Sequence, residues 1–225
     1  IWIFWKNSLQ VNLKQVHEQC ITVKLGSKGS SILFTFVYTS CDVLIRRDLW
    51  DHLGSFALLD LPWFVVGDFN ALSDISEKRG GSPLFNNCLL YFNGFISSKG
   101  FLDLGFSGSK FSWCNNCKGG NQIWCRLDRC FSNIQGLDSF SGSSVVHLSR
   151  GLSDHSPILV NLVQERQDYK GLLYSADWNS REGFIQMMRE SWIQETDGRA
   201  WVGLFRHLKR LKADIFKWFM DHPTS

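Results

Sequence analysis

Three short polar stretches interrupt otherwise apolar runs of this sequence: Gly67-Asp68-Phe69-Asn70, Arg126-Leu127-Asp128-Arg129 and Ser153-Asp154-His155-Ser156-Pro157. Each sets an Asp at or beside the end of an apparent strand, where α/β folds gather their sites. Together they offer the carboxylates of Asp68, Asp128 and Asp154, the amide of Asn70 and the imidazole of His155. That set suits attack of water on a phosphodiester assisted by a hard cation. Oxygen ligands suit Mg²⁺, an Asp or His takes a proton from water, and Asn or protonated His stabilises charge at phosphorus. A second Asp bonded to the other imidazole nitrogen would fix its tautomer. Taken singly, each stretch is equally readable as a solvated turn, because Gly, Asp and Asn are the usual turn residues.

Other constellations fit less well. The sequence has no GxxxxGK[ST] phosphate loop, no GxGxxG and no GxSxG elbow. Cys114-x2-Cys117 and Cys125-x4-Cys130 invite zinc, yet Cys125 and Cys130 have opposite parity on what reads as one strand and should face opposite sides. Small hydrophobic thiols are the plainer reading. His17, His52, His147, His207 and His222 have no acidic partner at a recognisable spacing and read as surface or core residues.

The elements that must position the polar stretches follow from periodicity. Ile21 to Leu25 and Ser31 to Tyr38 read as a hairpin around GSKGS. Asp42 can cap a helix whose Ile45, Leu49, Trp50, Leu53 and Phe56 recur at helical spacing. Pro62 precedes a strand from Trp63 to Val66. Ser82-Pro83 and Lys99-Gly100 bound a second helix carrying Leu84, Leu90, Phe92 and Phe95. Lys110 to Cys114, Gln122 to Phe131, Val145 to Leu148 and Pro157 to Val163 read as further strands. Strands interleaved with helices favour an α/β layered fold. After Glu165 the pattern becomes helical, with Trp201, Leu204, Phe205, Leu208, Leu211, Ile215 and Trp218 on one stripe. Residues 1–165 and 166–225 are therefore expected to be separate units.

Composition adds bounds. Basic and acidic residues nearly cancel at a net charge of +3, on both sides of residue 165, so any nucleic-acid contact must be local. Seven cysteines, an odd number, suggest reduced thiols and an intracellular setting. No apolar run approaches the roughly 20 residues of a membrane span, so no membrane partner is expected.

The order GDFN, RLDR, SDHSP at these separations resembles the endonuclease/exonuclease/phosphatase superfamily, which includes deoxyribonuclease I and the apurinic endonucleases. The text between the motifs (VYTSCDVLIRRDLWDHL, ISEKRGGSPLF, FNGFISSKGFLDLGFSGSKFSWCN, RLDRCFSN) is similar to the endonuclease domain of plant LINE-type, non-LTR retrotransposons. The resemblance covers about residues 1–163. Residues 166–225, ending in LKRLKADIFKWF, resemble the linker that precedes reverse transcriptase in such polyproteins.

This resemblance implies an α-β-β-α sandwich of two mixed sheets flanked by helices, with a C-terminal helical extension. It implies an Mg²⁺-dependent (or Mn²⁺-dependent) DNA-nicking enzyme working in the nucleus. Asp68 would handle the attacking water, Asn70 and Tyr38 would contact phosphate, and His155, oriented by Asp128, would stabilise the transition state. Asp154 would sit at the metal, and Trp113 and Arg126 would bind substrate, with Trp124 a further stacking candidate. The family's first strand carries an Asn and a second carries the Glu that is its principal metal ligand. Neither motif is found here: Glu18 is the only acid among the first 41 residues, and QVHEQCITV does not match. The expectation is a domain lacking its first strands, holding metal weakly. Two alternatives are an inactive relic or binding fragment, in which Arg206, Lys209, Arg210 and Lys212 meet nucleic acid or a partner, and a phosphatase acting on a small phosphoester.

Overall fold

Residues 20–25 and 32–38 are rich in β-branched and aromatic side chains, which suit a pleated and half-buried surface. They form adjacent strands in the computed structural model, which describes residues 1–26, 31–54, 60–83, 86–163, 176–194 and 200–222. The chain divides into two compact units, Ile1–Glu165 and Arg166–Ser225. The first unit begins β1 (Val11–His17), β2 (Cys20–Leu25), β3 (Ile32–Tyr38), α1 (Val43–Gly54), β4 (Trp63–Asp68), β5 (Lys78–Arg79) and α2 (Asn86–Ser98). It continues β6 (Leu102–Asp103), β7 (Ser107–Gly108), β8 (Trp113–Cys114), β9 (Trp124–Cys125), β10 (Asp128–Ser132), α3 (Ile134–Ser139), β11 (Ser144–His147) and β12 (Ile158–Asn161).

The main sheet has the order β1-β2-β3-β4-β10-β6 and is mixed, because β3 and β4 run parallel through the α1 crossover while the other neighbours are antiparallel. A second mixed sheet has the order β12-β11-β7, and a small antiparallel one the order β5-β9-β8. Two mixed sheets flanked by helices thus form the layered sandwich.

Pleating gives the main sheet two different faces. Leu33, Val37, Trp63, Val65 and Phe131 leave one face and pack against Leu49, Trp50 and Leu53 of α1 and Phe92 and Phe95 of α2. Each such burial stabilises by about 1.5–3 kcal/mol, against the entropy of ordering the chain. Two threonines of that face are satisfied there: the Thr22 and Thr35 hydroxyls lie 2.9 Å apart, and the Trp63 indole donates to Thr35 Oγ1 at 3.0 Å. On the other face Phe34, Phe36 and Val66, with Ile158 and Val160 of β12, line a groove of about 580 Å³. Gly67 lies where the β3–β4 seam reaches the first polar stretch. Its φ of 140° is open to glycine, and a Cβ there would collide with the Val37 carbonyl.

Several expectations need correction. Gln122 to Phe131 is not one strand. Its first part pairs in the small sheet and its second in the main sheet, with the break at Arg126-Leu127, so the parity argument for Cys125 and Cys130 has no basis. Cys125 and Cys130 are nevertheless buried thiols, whereas Cys117 is exposed. The Asp42 cap forms, its Oδ1 accepting from Leu44 N–H at 2.7 Å, but Ile45 and Leu90 point outward. Phe56 and Leu84 lie outside the described residues. His17 does have an acidic partner: its Nε2 meets Asp48 Oδ2 at 3.0 Å across β1 and α1.

In the second unit a 3₁₀ turn at Ala176–Ser180 precedes α4 (Phe184–Ile193) and α5 (Ala200–Asp221). Phe184, Ile215 and Trp218 form its core. Arg210, expected to be available for nucleic acid, instead donates to the Ser191 and Gln194 carbonyls at 2.9 and 2.8 Å, closing the C-terminus of α4. Trp201 has no described side chain. No helix among the described residues is long and apolar enough to cross a membrane.

Candidate active site

Strand register does the first part of the assembly. Tyr38 lies opposite Asp68 in the β3–β4 pair, and Asp68 lies opposite Asp128 in the β4–β10 pair. Residues directly opposite share a face, so the three side chains form a row at one end of the main sheet. Phe69, fully buried, anchors the chain just beyond, and its N–H donates to the Leu127 carbonyl at 3.0 Å.

Asn70 then folds back. Its backbone is left-handed (φ 41°), a conformation Asn tolerates. Its N–H donates to Asp68 Oδ1 at 2.8 Å, and its amide nitrogen donates to Asp68 Oδ2 at 3.0 Å and to the Thr39 carbonyl at 2.7 Å. Both amide hydrogens are thereby engaged, so Asn70 positions Asp68 here rather than reaching outward for phosphate.

The third stretch arrives from β8. Ser156 N–H donates to the Ser112 carbonyl at 2.6 Å, Cys114 N–H to the Asp154 carbonyl at 3.0 Å, and Trp113 and His155 form an isolated bridge. His155 Nδ1 thus meets Asp128 Oδ2 at 2.9 Å, while Nε2 lies 3.9 Å from Asp68 Oδ2. That second distance is too long for a hydrogen bond.

Electrostatics separates the groups. The Asp128 hydrogen bond raises the His155 pKa above its ordinary value, against the effect of partial burial. Burial pushes Asp68 up to about 6, and the Asn70 N–H bond only partly opposes it. The site therefore pairs a carboxylate reluctant to hold charge with an imidazole inclined to hold a proton, an arrangement that marks acid–base sites. Tyr38 is 65% exposed at the open end of the row. Asp154 is exposed; its Oδ2 accepts from the Trp113 indole at 3.1 Å, which is the first reason its carboxyl lies below the ordinary range.

Arg126 is a correction. It is 1% exposed, bonded to Asp103 and Glu77, and has no surface to offer a substrate. Sequence reasoning also missed Ser112. Its buried hydroxyl accepts from Leu127 N–H at 3.0 Å and Asp128 N–H at 2.9 Å, while its carbonyl holds Ser156. One serine thus joins the strand of Asp128 to the loop of His155. No pattern in the sequence marks it.

A divalent cation does not fit the donors present. No group of three or more His, Cys, Asp and Glu among the described residues is arranged to hold a metal ion. Asp154, expected at the metal, is tied to Trp113, and the Asp68 oxygens are engaged by Asn70. Glu18 stands exposed in the turn between β1 and β2.

No family model and no curated protein matches the chain. Among solved structures it is similar to the endonuclease domain of TRAS1, a telomere-specific non-LTR retrotransposon. The TM-score is 0.57 at 17% identity, covering 72% of this chain and 72% of that one. The chain shares the fold of that endonuclease domain. Looser likenesses are the 3′ phosphatase NExo from Neisseria (TM-score 0.48, 12% identity, 69% and 70% covered) and a Staphylococcus aureus beta toxin (0.48, 14%, 64% and 57%). At these identities the likeness establishes the fold alone.

Proposed function

We propose that the Asp68–Asp128–His155 cluster hydrolyses phosphodiester bonds in DNA, as the nicking part of a non-LTR retrotransposon polyprotein of the nucleus. Residues 166–225 then serve as the linker toward a reverse transcriptase. The observation that carries this reading is the pairing of a raised carboxylate and an Asp-held imidazole 3.9 Å apart.

In this reading Asp68 accepts the proton of an attacking water as its oxygen bonds to phosphorus, while the bond from phosphorus to the leaving sugar oxygen breaks and that oxygen takes a proton from solvent. The proton on His155 Nε2 faces the phosphoryl oxygens and offsets the charge gathering there. Asp128 holds the imidazole by its other nitrogen, and Asn70 keeps Asp68 aimed. The exposed Tyr38 hydroxyl meets a phosphate oxygen at the open end of the row. Because the donors do not fit Mg²⁺ or Mn²⁺, the expected turnover is low.

Conversion of supercoiled plasmid to open circles tests the proposal. Slow nicking is expected from the full chain, and its loss in both Asp68→Ala and His155→Ala. Nicking retained in either variant, with its fold intact by circular dichroism, overturns it. The misfit of the metal favours a second reading, a domain that binds nucleic acid without cutting it. Plasmid left supercoiled by the unaltered chain, together with salt-dependent DNA binding, would select that reading.

A further inference from the structure

Beside the cluster, the small β5-β9-β8 sheet carries cations laid over aromatic rings. Arg79 of β5 lies opposite Trp124 of β9 in register. Its guanidinium carbon is 5.3 Å from the Trp124 ring centre and 5.5 Å from that of Phe111. Arg150 reaches the same indole at 4.9 Å, and the Lys110 ammonium lies 5.7 Å from the Phe111 centre. No carboxylate pairs with Arg79, Lys110 or Arg150 among the described residues. Like charges gathered on two rings without a counter-charge repel one another, so an anion would stabilise the group.

Two donors are also left over. Trp124 Nε1 and Arg150 Nη1 have no hydrogen-bond partner among the described residues but are shielded from solvent, so the exposed Arg79 and Lys110 make the first contact with an anion. A guanidinium lying over a ring keeps its N–H edge for an oxyanion, and its fork matches phosphate geometry. The patch and the cluster are joined through the chain. Arg150 and His155 share one loop, closed by the Leu148 N–H bond to the Pro157 carbonyl at 2.9 Å. On β8, Cys114 pairs with Trp124 while its neighbour Trp113 bridges to His155.

We infer that Arg79, Lys110 and Arg150, mounted on Phe111 and Trp124, dock the phosphate backbone of DNA beside the cluster. The rings serve the cations, so docking is indifferent to base sequence. The choice of partner rests on the phosphodiester reading of the site.

The full chain, in EDTA, is titrated against two fluorescein-labelled duplexes of unrelated sequence over a series of salt concentrations. The double variant Arg79→Gln with Arg150→Gln is expected to weaken binding to both duplexes equally. It should also lower the slope of log affinity against log salt by about two, near one per lost phosphate contact. Unchanged affinity and slope overturn the inference, as does a loss confined to one sequence. Thermal melting checks the fold. Should Arg150→Gln fail to fold, Arg79→Gln and Lys110→Gln, both at exposed positions, carry the same expectation. Nicking by the unaltered chain with unchanged binding by the double variant removes the docking patch and leaves the proposed function. Patch-dependent binding without nicking does the reverse. Anionic phospholipid vesicles are expected not to bind; patch-dependent binding to them and not to the duplex overturns the choice of partner.

Discussion

Two charged clusters meet at the start of β10 within the four residues RLDR, and they are built in opposite ways. Asp128 leaves one face of the strand toward His155 and Asp68. Its neighbour Arg129 leaves the other, toward the helices, where with Arg126 it is bonded to Glu77 and Asp103. The carboxylates of the tetrad are saturated, although the Nε–H of each arginine is buried without a hydrogen-bond partner among the described residues. Glu77 accepts from Ser73, Asp74, Arg126 and Arg129, and Asp103 from Gly105 and both arginines. The cluster around His155 instead is half-exposed, with Nε2 3.9 Å from Asp68 and Tyr38 exposed at its end. The buried cluster fixes the backbone; the half-exposed one keeps capacity for a substrate. The tetrad also fixes what the cluster needs, because Glu77 ends the loop that follows Asn70 while Arg129 adjoins Asp128.

The widest separation between the clusters should appear in stability. Arg129→Ala removes a fully buried cation and leaves Glu77 and Asp103 with one arginine between them. A cost of about 3–5 kcal/mol is expected, the usual penalty for breaking a buried ion pair. Asp128→Asn removes one charge-assisted bond in a half-open site and is expected to cost less than about 2 kcal/mol. Urea unfolding of both variants measures the difference. Equal losses would mean that the cluster around His155 is as structural as the tetrad, and the contrast would fail.

Acid and base should also act on the two in opposite directions. Burial alone would raise the Asp103 carboxyl, but the charges of Arg126 and Arg129 outweigh it and hold it below its ordinary value. Its contribution is present above the unfolded pKa and is lost as pH falls through the folded one. Asp68 is the reverse. Burial raises it from 3.8 to about 6, so its ionisation costs stability as pH rises through that range, by up to about 3 kcal/mol at neutral pH. Asp68→Asn abolishes this term, at a fixed cost because an amide offers Asn70 one acceptor fewer. Relative to the unaltered chain, the variant should therefore gain stability between pH 4 and pH 7, roughly the interval that the raised carboxyl spans. Urea midpoints across that interval read it, and a flat difference would place Asp68 at an ordinary pKa and remove its fitness as a base.

The same contrast explains what was legible in the sequence. The end of β4 shows as an apolar run giving way to turn residues, and the strand row Tyr38, Asp68, Asp128 follows once β3, β4 and β10 are in register. RLDR reads as one polar island, yet its members serve two faces. The partners that claim Arg126 and Arg129 are distant in sequence, Glu77 by 49 and 52 residues and Asp103 by 23 and 26. No local pattern predicts such a match. The break at Arg126-Leu127 is likewise invisible, because an apolar run looks the same whether it stays in one sheet or changes sheets. Strands β5, β6 and β7, two residues each, are too short to carry a period.

The smallest expected effect lies at the rim, where a single bond replaces the tetrad's many. Trp113→Phe keeps a ring of similar bulk in β8 and removes only the indole N–H that holds Asp154 Oδ2 at 3.1 Å. That bond is the first cause of the lowered Asp154 pKa, so its loss should move the carboxyl titration up toward the ordinary range. Carbon-detected NMR of the carboxyl reads the shift directly. Because Asp154 is exposed, the urea midpoint should hardly change, and the tetrad should be indifferent. A titration that stays where it was would show that the indole does not tie the loop of His155 in solution. The geometry of Nε2 toward Asp68 would then rest on Ser112, on Asp128 and on the backbone bonds between β8 and the loop.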